Sequence, residues 1–134
     1  MVDVRAMADP ANNAGKTTIL VVEDEILLRA MISDELRDHG HTVIEAVNAD
    51  EAVSVLRSHI RVDVVFTDMR MPGVLDGAGL VRLIRTEFPF VKVVMVSSEF
   101  PEPDVHELLH GYVAKPFKLA QLSSCLQALV SVVE

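Results

Sequence analysis

From Thr17 onward, short apolar runs alternate with longer segments whose apolar residues recur every three or four positions, a pattern satisfied by winding helices around a parallel sheet. The first run is Thr18–Val22; the helix after it takes Ile26, Leu27, Ala30, Met31 and Leu36 as its inner stripe and stops near Gly40. A second strand covers His41–Ala46, and Asn48 or Asp50 caps a helix that turns Ala52, Val53, Leu56 and Ile60 inward. The third strand, Asp63–Thr67, runs straight into Asp68. After a loop containing Pro72 and Gly73, Gly79–Phe88 carries Leu80, Leu83 and Ile84 at helical spacing, and Pro89 ends that helix. Val91–Val96 makes the fourth strand, and Pro101 and Pro103 suit the first turn of a short helix through His110. Tyr112–Ala114 is a brief last strand and Lys118–Val133 the final helix. Runs such as Leu20–Val22 and Val93–Val96 are apolar at successive positions, so both faces of the sheet are covered. The expected fold is a doubly wound (βα)5 α/β domain, a three-layer sandwich around a five-stranded parallel sheet.

Length and charge narrow the possible functions. A chain of 134 residues holds one core, with 1–16, rich in Ala, Asn, Asp and Pro, reading as a flexible tail and 17–134 as the domain. No apolar run approaches the roughly 20 residues that span a bilayer, and the start lacks the basic and apolar regions of a secretory signal. The formal net charge of -8 argues against direct binding to nucleic acid or to an anionic membrane. Cys125 is the sole cysteine, which fits a reducing cytoplasm.

Doubly wound sheets bind ligands beyond the carboxyl ends of their strands. The residues there are Glu23, Asp24, Asp68, Ser97 and Lys115. Adjacent strands bring the three carboxylates together, and each close pair costs on the order of 3 kcal/mol at about 5 Å with an effective dielectric near 20. A hard divalent cation removes that conflict, and oxygen ligands with room for water favour Mg²⁺. Lys115 can pair with Asp68 and later with an added phosphoryl group, to which Ser97 can donate a hydrogen bond. Asp68 is then the nucleophile of a phosphoryl transfer that yields an acyl phosphate.

This ordered set resembles the receiver domains of bacterial response regulators: Glu23-Asp24 after an apolar strand, Asp68, Met71-Pro72-Gly73 with Asp76-Gly77, Ser97, and Tyr112-Val-Ala-Lys115-Pro116-Phe117. The resemblance covers Thr17–Val133 and implies a flavodoxin-like, CheY-like fold. It also implies Mg²⁺ held by Glu23, Asp24, Asp68 and the main-chain carbonyl of Arg70, and phosphorylation of Asp68 by a histidine kinase or phosphotransfer protein. Ser97 and Lys115 would contact the phosphoryl group, Ser97 and Tyr112 would act as the switch, and Lys115-Pro116 would be a cis peptide. With no output region after Val133, the resemblance implies a stand-alone signalling receiver, read by a separate protein, whose only catalysis is self-phosphorylation and self-dephosphorylation.

Two departures from the family pattern concern the loops. Gly73-Val-Leu75 makes the segment after Asp68 one residue longer than usual, and the eighteen positions from Ser97 to Lys115 are fewer than usual, so the fourth helix is short or irregular. The final helix has no charge from Leu119 to Val133; Leu119, Leu122, Leu126, Leu129, Val130 and Val133 form its core stripe, widened by Cys125, Ala128 and Val132. If exposed, that band is a dimerisation or partner surface. Arg70 and Glu99 flank the pocket, either to tune phosphoryl lifetime or partner choice or as ordinary surface charge. His106 and His110 share a helix face but have no third ligand, so solvated histidines are preferred. Tyr112 is either a switch or a cover for the sheet edge, and Cys125 reads as a packing residue. Gly15-Lys16-Thr17-Thr18 has the end of a phosphate-binding loop, yet its first glycine would fall at Pro10 and it precedes a strand, which sets nucleotide binding aside. A haloacid-dehalogenase-like phosphohydrolase needs a carboxylate two residues after its nucleophile, where this chain has Arg70. A pseudo-receiver that binds partners without phosphorylation does not need the full pocket.

Overall fold

The apolar runs pair as parallel strands in a computed structural model that describes residues 17–133. The expected tail, 1–16, lies outside the described residues. In chain order the elements are β1 (Thr18–Val22), α1 (Ile26–Asp38), β2 (Thr42–Ala46), α2 (Ala49–Leu56), β3 (Val64–Asp68), α3 (Gly77–Glu87), β4 (Lys92–Ser97), α4 (Pro103–His106), β5 (Gly111–Ala114) and α5 (Leu119–Val133). The sheet order is β2-β1-β3-β4-β5, so the direction of winding reverses between β1 and β3. This is the doubly wound architecture expected.

Successive residues of each strand point to opposite faces, so a central strand needs two cores. Leu20 and Val22 of β1 join Val65 and Met95 under α2, α3 and α4, whereas Ile19 and Val21 join Phe66 under Ile32 and Leu36 of α1 and Leu122 and Leu126 of α5. Among the described residues, no helix is long and apolar enough to cross a membrane.

The phase of α1 differs from the expected one. Ile26, Leu27 and Met31 are 69%, 74% and 52% exposed, and Ala30 is exposed as well. The buried stripe is Ile32, Ser33 and Leu36, with Leu28 packed against it. Both sets have helical spacing, so periodicity cannot choose between them. Arg29 chooses: its guanidinium donates to the Glu23 carbonyl at 2.7 Å and to the Glu45 carboxylate at 3.0 Å, which sets the rotation of the helix.

Asn48 caps α2 by accepting the Glu51 N–H at 2.8 Å, but Ile60 lies beyond that helix and is half exposed. In α5 Leu122 and Leu126 are buried, and Leu119, Cys125 and Leu129 are packed against the same core. Through Leu129 the large apolar side chains of α5 are therefore covered; the side chains of Val130, Val132 and Val133 lie outside the described residues.

Helix α4 ends at His106, earlier than expected. His110 instead clamps the end of this connection to β4: its N–H donates to the Val93 carbonyl at 2.8 Å, and its Nδ1 accepts the Val93 N–H at 3.1 Å. Burial, with Lys92 and Arg85 adding like charge, holds this imidazole below its ordinary value; burial and His39 do the same for His41. A base with a depressed folded-state pKa takes up its proton more readily in the unfolded chain. The stability it contributes is full above about pH 6.5 and lost as pH falls through the lower folded-state value. Unfolding in urea should therefore show a smaller decline between about pH 7.5 and pH 5.5 for His110→Asn, whose amide oxygen can accept the Val93 N–H without titrating. Equal declines in the two proteins would remove His110 from the account.

Candidate functional site

Strands β1 and β3 are neighbours with Val22 opposite Thr67, so the residues just past these partners meet at one edge of the sheet. Glu23 and Asp24 come from the first strand and Asp68 from the second, with one carboxylate oxygen of each within 4.8 Å of the other two. Lys115, just past β5, reaches across: its Nζ lies 2.7 Å from Asp68 Oδ2 and 3.8 Å from Glu23 Oε1. The Lys115-Pro116 peptide that follows is cis.

Glu23 is 3% exposed, whereas Asp24 is exposed. The Glu23 backbone N–H is bonded to the Ala46 carbonyl and Glu23 Oε2 accepts the Glu25 N–H at 3.0 Å, so Glu23 cannot swing out freely. Burial is the main force that raises its carboxyl to about 7; the Glu25 N–H opposes it and the Asp68 charge adds to it. Lys115 is also opposed by burial, but the hydrogen bond and charge of Asp68, with Glu23 and Glu25 beyond, hold its ammonium above the ordinary value. One ammonium for three carboxylates leaves the cluster short of positive charge. The buried, raised Glu23 and the all-oxygen donor set fit a hard divalent cation.

Ser97 ends β4, next to Val96, which pairs with Asp68. Its Oγ accepts the Glu99 N–H at 3.1 Å, which leaves the hydroxyl proton free to be donated. Tyr112 lies outside the carboxylate cluster. Its hydroxyl donates to the carbonyls of Ser97 at 3.1 Å and of Glu99 at 3.2 Å, and its ring meets Phe100 edge-on at 5.3 Å. Arg70 presents its N–H to Asp68 Oδ1 at 3.2 Å, while its side chain pairs with Glu99.

Two further contributors leave only weak signals in the sequence. Arg29 ties the Glu23 carbonyl to α1, and its only sequence signal is a cation within the first turn after the acidic pair. Gly77 lies so close to the backbone of Asp68 that a Cβ would sit 2.0 Å from the Asp68 carbonyl oxygen; the Asp76-Gly77 pair at a helix start is the signal. Asp76 Oδ1 caps α3 through the Gly79 N–H at 2.9 Å, and the Gly77 N–H donates to the Met69 carbonyl at 3.0 Å. The longer loop is accommodated by Gly73 at φ +115° with Val74 fully exposed.

Elsewhere the histidines part company: His106 stacks on Phe100 at 4.6 Å, while His110 bonds to Val93. Cys125 is half-buried, and burial pushes its thiol up, as expected of a packing residue. A groove of about 610 Å³ runs between β5 and α5, lined by Tyr112, Ala114, Lys118, Gln121, Ser124 and Cys125 among others.

Residues 19–127 match the family described as the response regulator receiver domain. The chain is 33% identical over 116 residues to the transcriptional regulatory protein PhoP of Escherichia coli, a match covering 84% of this chain and 51% of PhoP. It is 32% identical over 122 residues to the sensor kinase CckA of Brucella abortus, covering 87% of this chain and 13% of CckA. The chain thus spans about half the length of one relative and a small part of the other. Among solved structures, the response regulator TrrA of Thermotoga maritima, in complex with Mg²⁺-BeF, superposes with a TM-score of 0.77 at 27% identity, covering 84% of this chain and 98% of TrrA.

Proposed function

Because this chain belongs to the response regulator receiver domain family, we propose that it accepts a phosphoryl group on Asp68 from a histidine kinase or phosphotransfer protein and signals by binding a separate protein. The observation that carries this reading is the pocket itself: three carboxylates within 4.8 Å, one of them 2.7 Å from the Lys115 ammonium. A structural relative in complex with Mg²⁺-BeF adds support for Mg²⁺ as the cation.

In this mechanism Glu23, Asp24, Asp68 and the Arg70 carbonyl would hold Mg²⁺, which when bound would neutralise charge on the phosphoryl oxygens. Asp68 attacks phosphorus, forming an O–P bond as the bond from phosphorus to the donor's leaving atom breaks; the leaving group keeps that electron pair and takes up a proton. Lys115 holds one Asp68 oxygen and the Arg70 N–H the other, so the nucleophile is oriented before the donor arrives. Ser97 donates its free hydroxyl proton to a phosphoryl oxygen. A shift of Ser97 toward that oxygen moves the two carbonyls that Tyr112 binds, carrying the change to the groove between β5 and α5. Catalysis is limited to the chain's own phosphorylation and dephosphorylation; Arg70 stands where a phosphohydrolase needs its carboxylate. Self-association through α5 would rest on the absence of charge from Leu119 to Val133.

Incubation with acetyl phosphate and Mg²⁺ should add one phosphoryl group by intact mass, and a chelator should prevent it. Asp24→Asn should need at least about tenfold more Mg²⁺ for the same rate, the low end of the cost of disturbing a ligand's support. An adduct forming equally fast in chelator would refute the metal-assisted reading, and repeated rapid turnover of the donor would favour a hydrolase.

A further inference from the structure

One residue supplies both halves of the junction at which the connection after α4 meets β4. The His110 backbone N–H donates to the Val93 carbonyl at 2.8 Å, and the His110 Nδ1 accepts the Val93 N–H at 3.1 Å. An accepting Nδ1 requires the neutral ring, with its proton on Nε2. Val93 is fully buried, so its N–H has no water to turn to while the chain stays closed. The pairing of β4 with β5 starts one residue later, with Val94 opposite Gly111. Strand β5 has four residues and lies at the edge of the sheet, and its far end is held by the Lys115 N–H on the Ser97 carbonyl at 2.9 Å. The His110 junction is therefore a large share of what fastens it.

We propose that His110 is an acid-sensitive latch: protonation of its imidazole releases the Val93 N–H and lets β5 open locally from β4 while the rest of the sheet stays folded. A protonated ring turns a second donor toward the Val93 N–H, so the two N–H groups oppose each other. The charges that act on the ring from the packed elements are Lys92 of β4 and Arg85 of α3, both cationic. On its own connection His106 and Glu107 are exposed, with His106 stacked on Phe100. Burial and the two cations hold the closed imidazole below its ordinary value, so the proton binds more readily once the ring has swung into water. Opening and proton uptake are thereby linked. The open fraction should rise by about tenfold per pH unit below about pH 6.5 and level off at the lower closed-state value.

The residues next to the latch form one wall of the groove between β5 and α5. Gly111 packs so closely against α5 that a Cβ there would sit 2.6 Å from Cys125 Sγ, and Tyr112 follows it with its hydroxyl on the Ser97 and Glu99 carbonyls. Tyr112 and Cys125 both line the groove. Release at His110 therefore loosens that wall from the end farthest from Lys115. Acid acts on the groove by this route whether or not Asp68 carries a phosphoryl group. Global unfolding breaks the latch together with every other bond; a short edge strand allows it to break alone.

The test is amide hydrogen exchange followed by NMR on the full chain between about pH 7.5 and pH 5.5, with each rate divided by its intrinsic value. Protection of the Val93 N–H should fall by about tenfold per pH unit below about pH 6.5. Low urea should leave that protection unchanged, the mark of an opening that exposes little surface. In His110→Asn, whose amide oxygen accepts the same N–H without titrating, the protection should not vary with pH. Tyr112 is the sole tyrosine and the chain has no tryptophan, so intrinsic fluorescence reports on β5 alone and should change over the same pH range only in the unaltered protein. Should His110→Asn not fold, the unaltered protein still decides, through the NMR titration of the His110 ring. A ring that titrates at or above about pH 6.5, a Val93 N–H that exchanges only by urea-sensitive unfolding, or an equal pH dependence in His110→Asn would overturn the latch.

Discussion

Gly77→Ala is expected to destabilise the protein by about 3 kcal/mol, the upper part of the range for overpacking, and to slow phosphorylation by about a hundredfold, the cost of a reacting group displaced by about 1 Å. The added Cβ would lie 2.0 Å from the Asp68 carbonyl oxygen, 2.6 Å from Met69 Cα and 2.8 Å from the Met69 carbonyl oxygen, all of them backbone atoms. Backbone cannot rotate aside as a side chain can, so the segment from Asp68 to Met69 must move, and the nucleophile moves with it. Gly79→Ala is the control. Its Cβ meets chiefly the end of the Leu75 side chain, at 2.6 Å, which can turn away, so both effects should be much smaller. Urea unfolding and the initial rate of adduct formation check both predictions; a Gly77→Ala protein that is phosphorylated as fast as the unaltered one would show that the close approach does not position Asp68.

Lys115→Met should lower the phosphorylation rate by on the order of 10² to 10³, the usual cost of removing one preorganised group that meets developing charge. The ammonium contacts Asp68 at 2.7 Å and Glu23 at 3.8 Å, and only a quarter of the side chain is exposed, so water replaces it poorly. Extra Mg²⁺ should not restore the rate, because Lys115 sits on Asp68 Oδ2 as a ligand of the nucleophile rather than as a substitute for the metal. Lys115→Arg keeps the charge but exchanges a compact ammonium for a broad planar fork, and should recover only part of the loss. A Lys115→Met rate within twofold of the unaltered protein would remove Lys115 from the transfer step.

How much of this was legible in the sequence depends on what positions each residue. Glu23, Asp24, Asp68, Ser97 and Lys115 were legible because each follows or closes an apolar run, and parallel pairing brings such ends together whatever the helices do. The rotation of α1 was not, because Ile26, Leu27, Ala30 and Met31 have as good a helical spacing as Leu28, Ile32 and Leu36, and the deciding contacts of Arg29 are with Glu23 and Glu45. The shortness of α4 could be counted from the interval between Ser97 and Lys115. Its end at His106 could not, since the hydrogen bonds of His110 to Val93 are tertiary. Arg70 and Glu99 could be placed beside the pocket, but their pairing across it needed the course of two loops.

The central claim is that Asp68 is the acceptor. An acyl phosphate can be reduced by borohydride to an alcohol, which marks the modified carboxylate permanently. After incubation with acetyl phosphate and Mg²⁺, reduction and peptide mapping should find homoserine in place of Asp68 and at no other carboxylate, with no such product from Asp68→Asn. Reduction at Glu23 or Asp24 instead, or an adduct that persists in Asp68→Asn, would contradict the assignment.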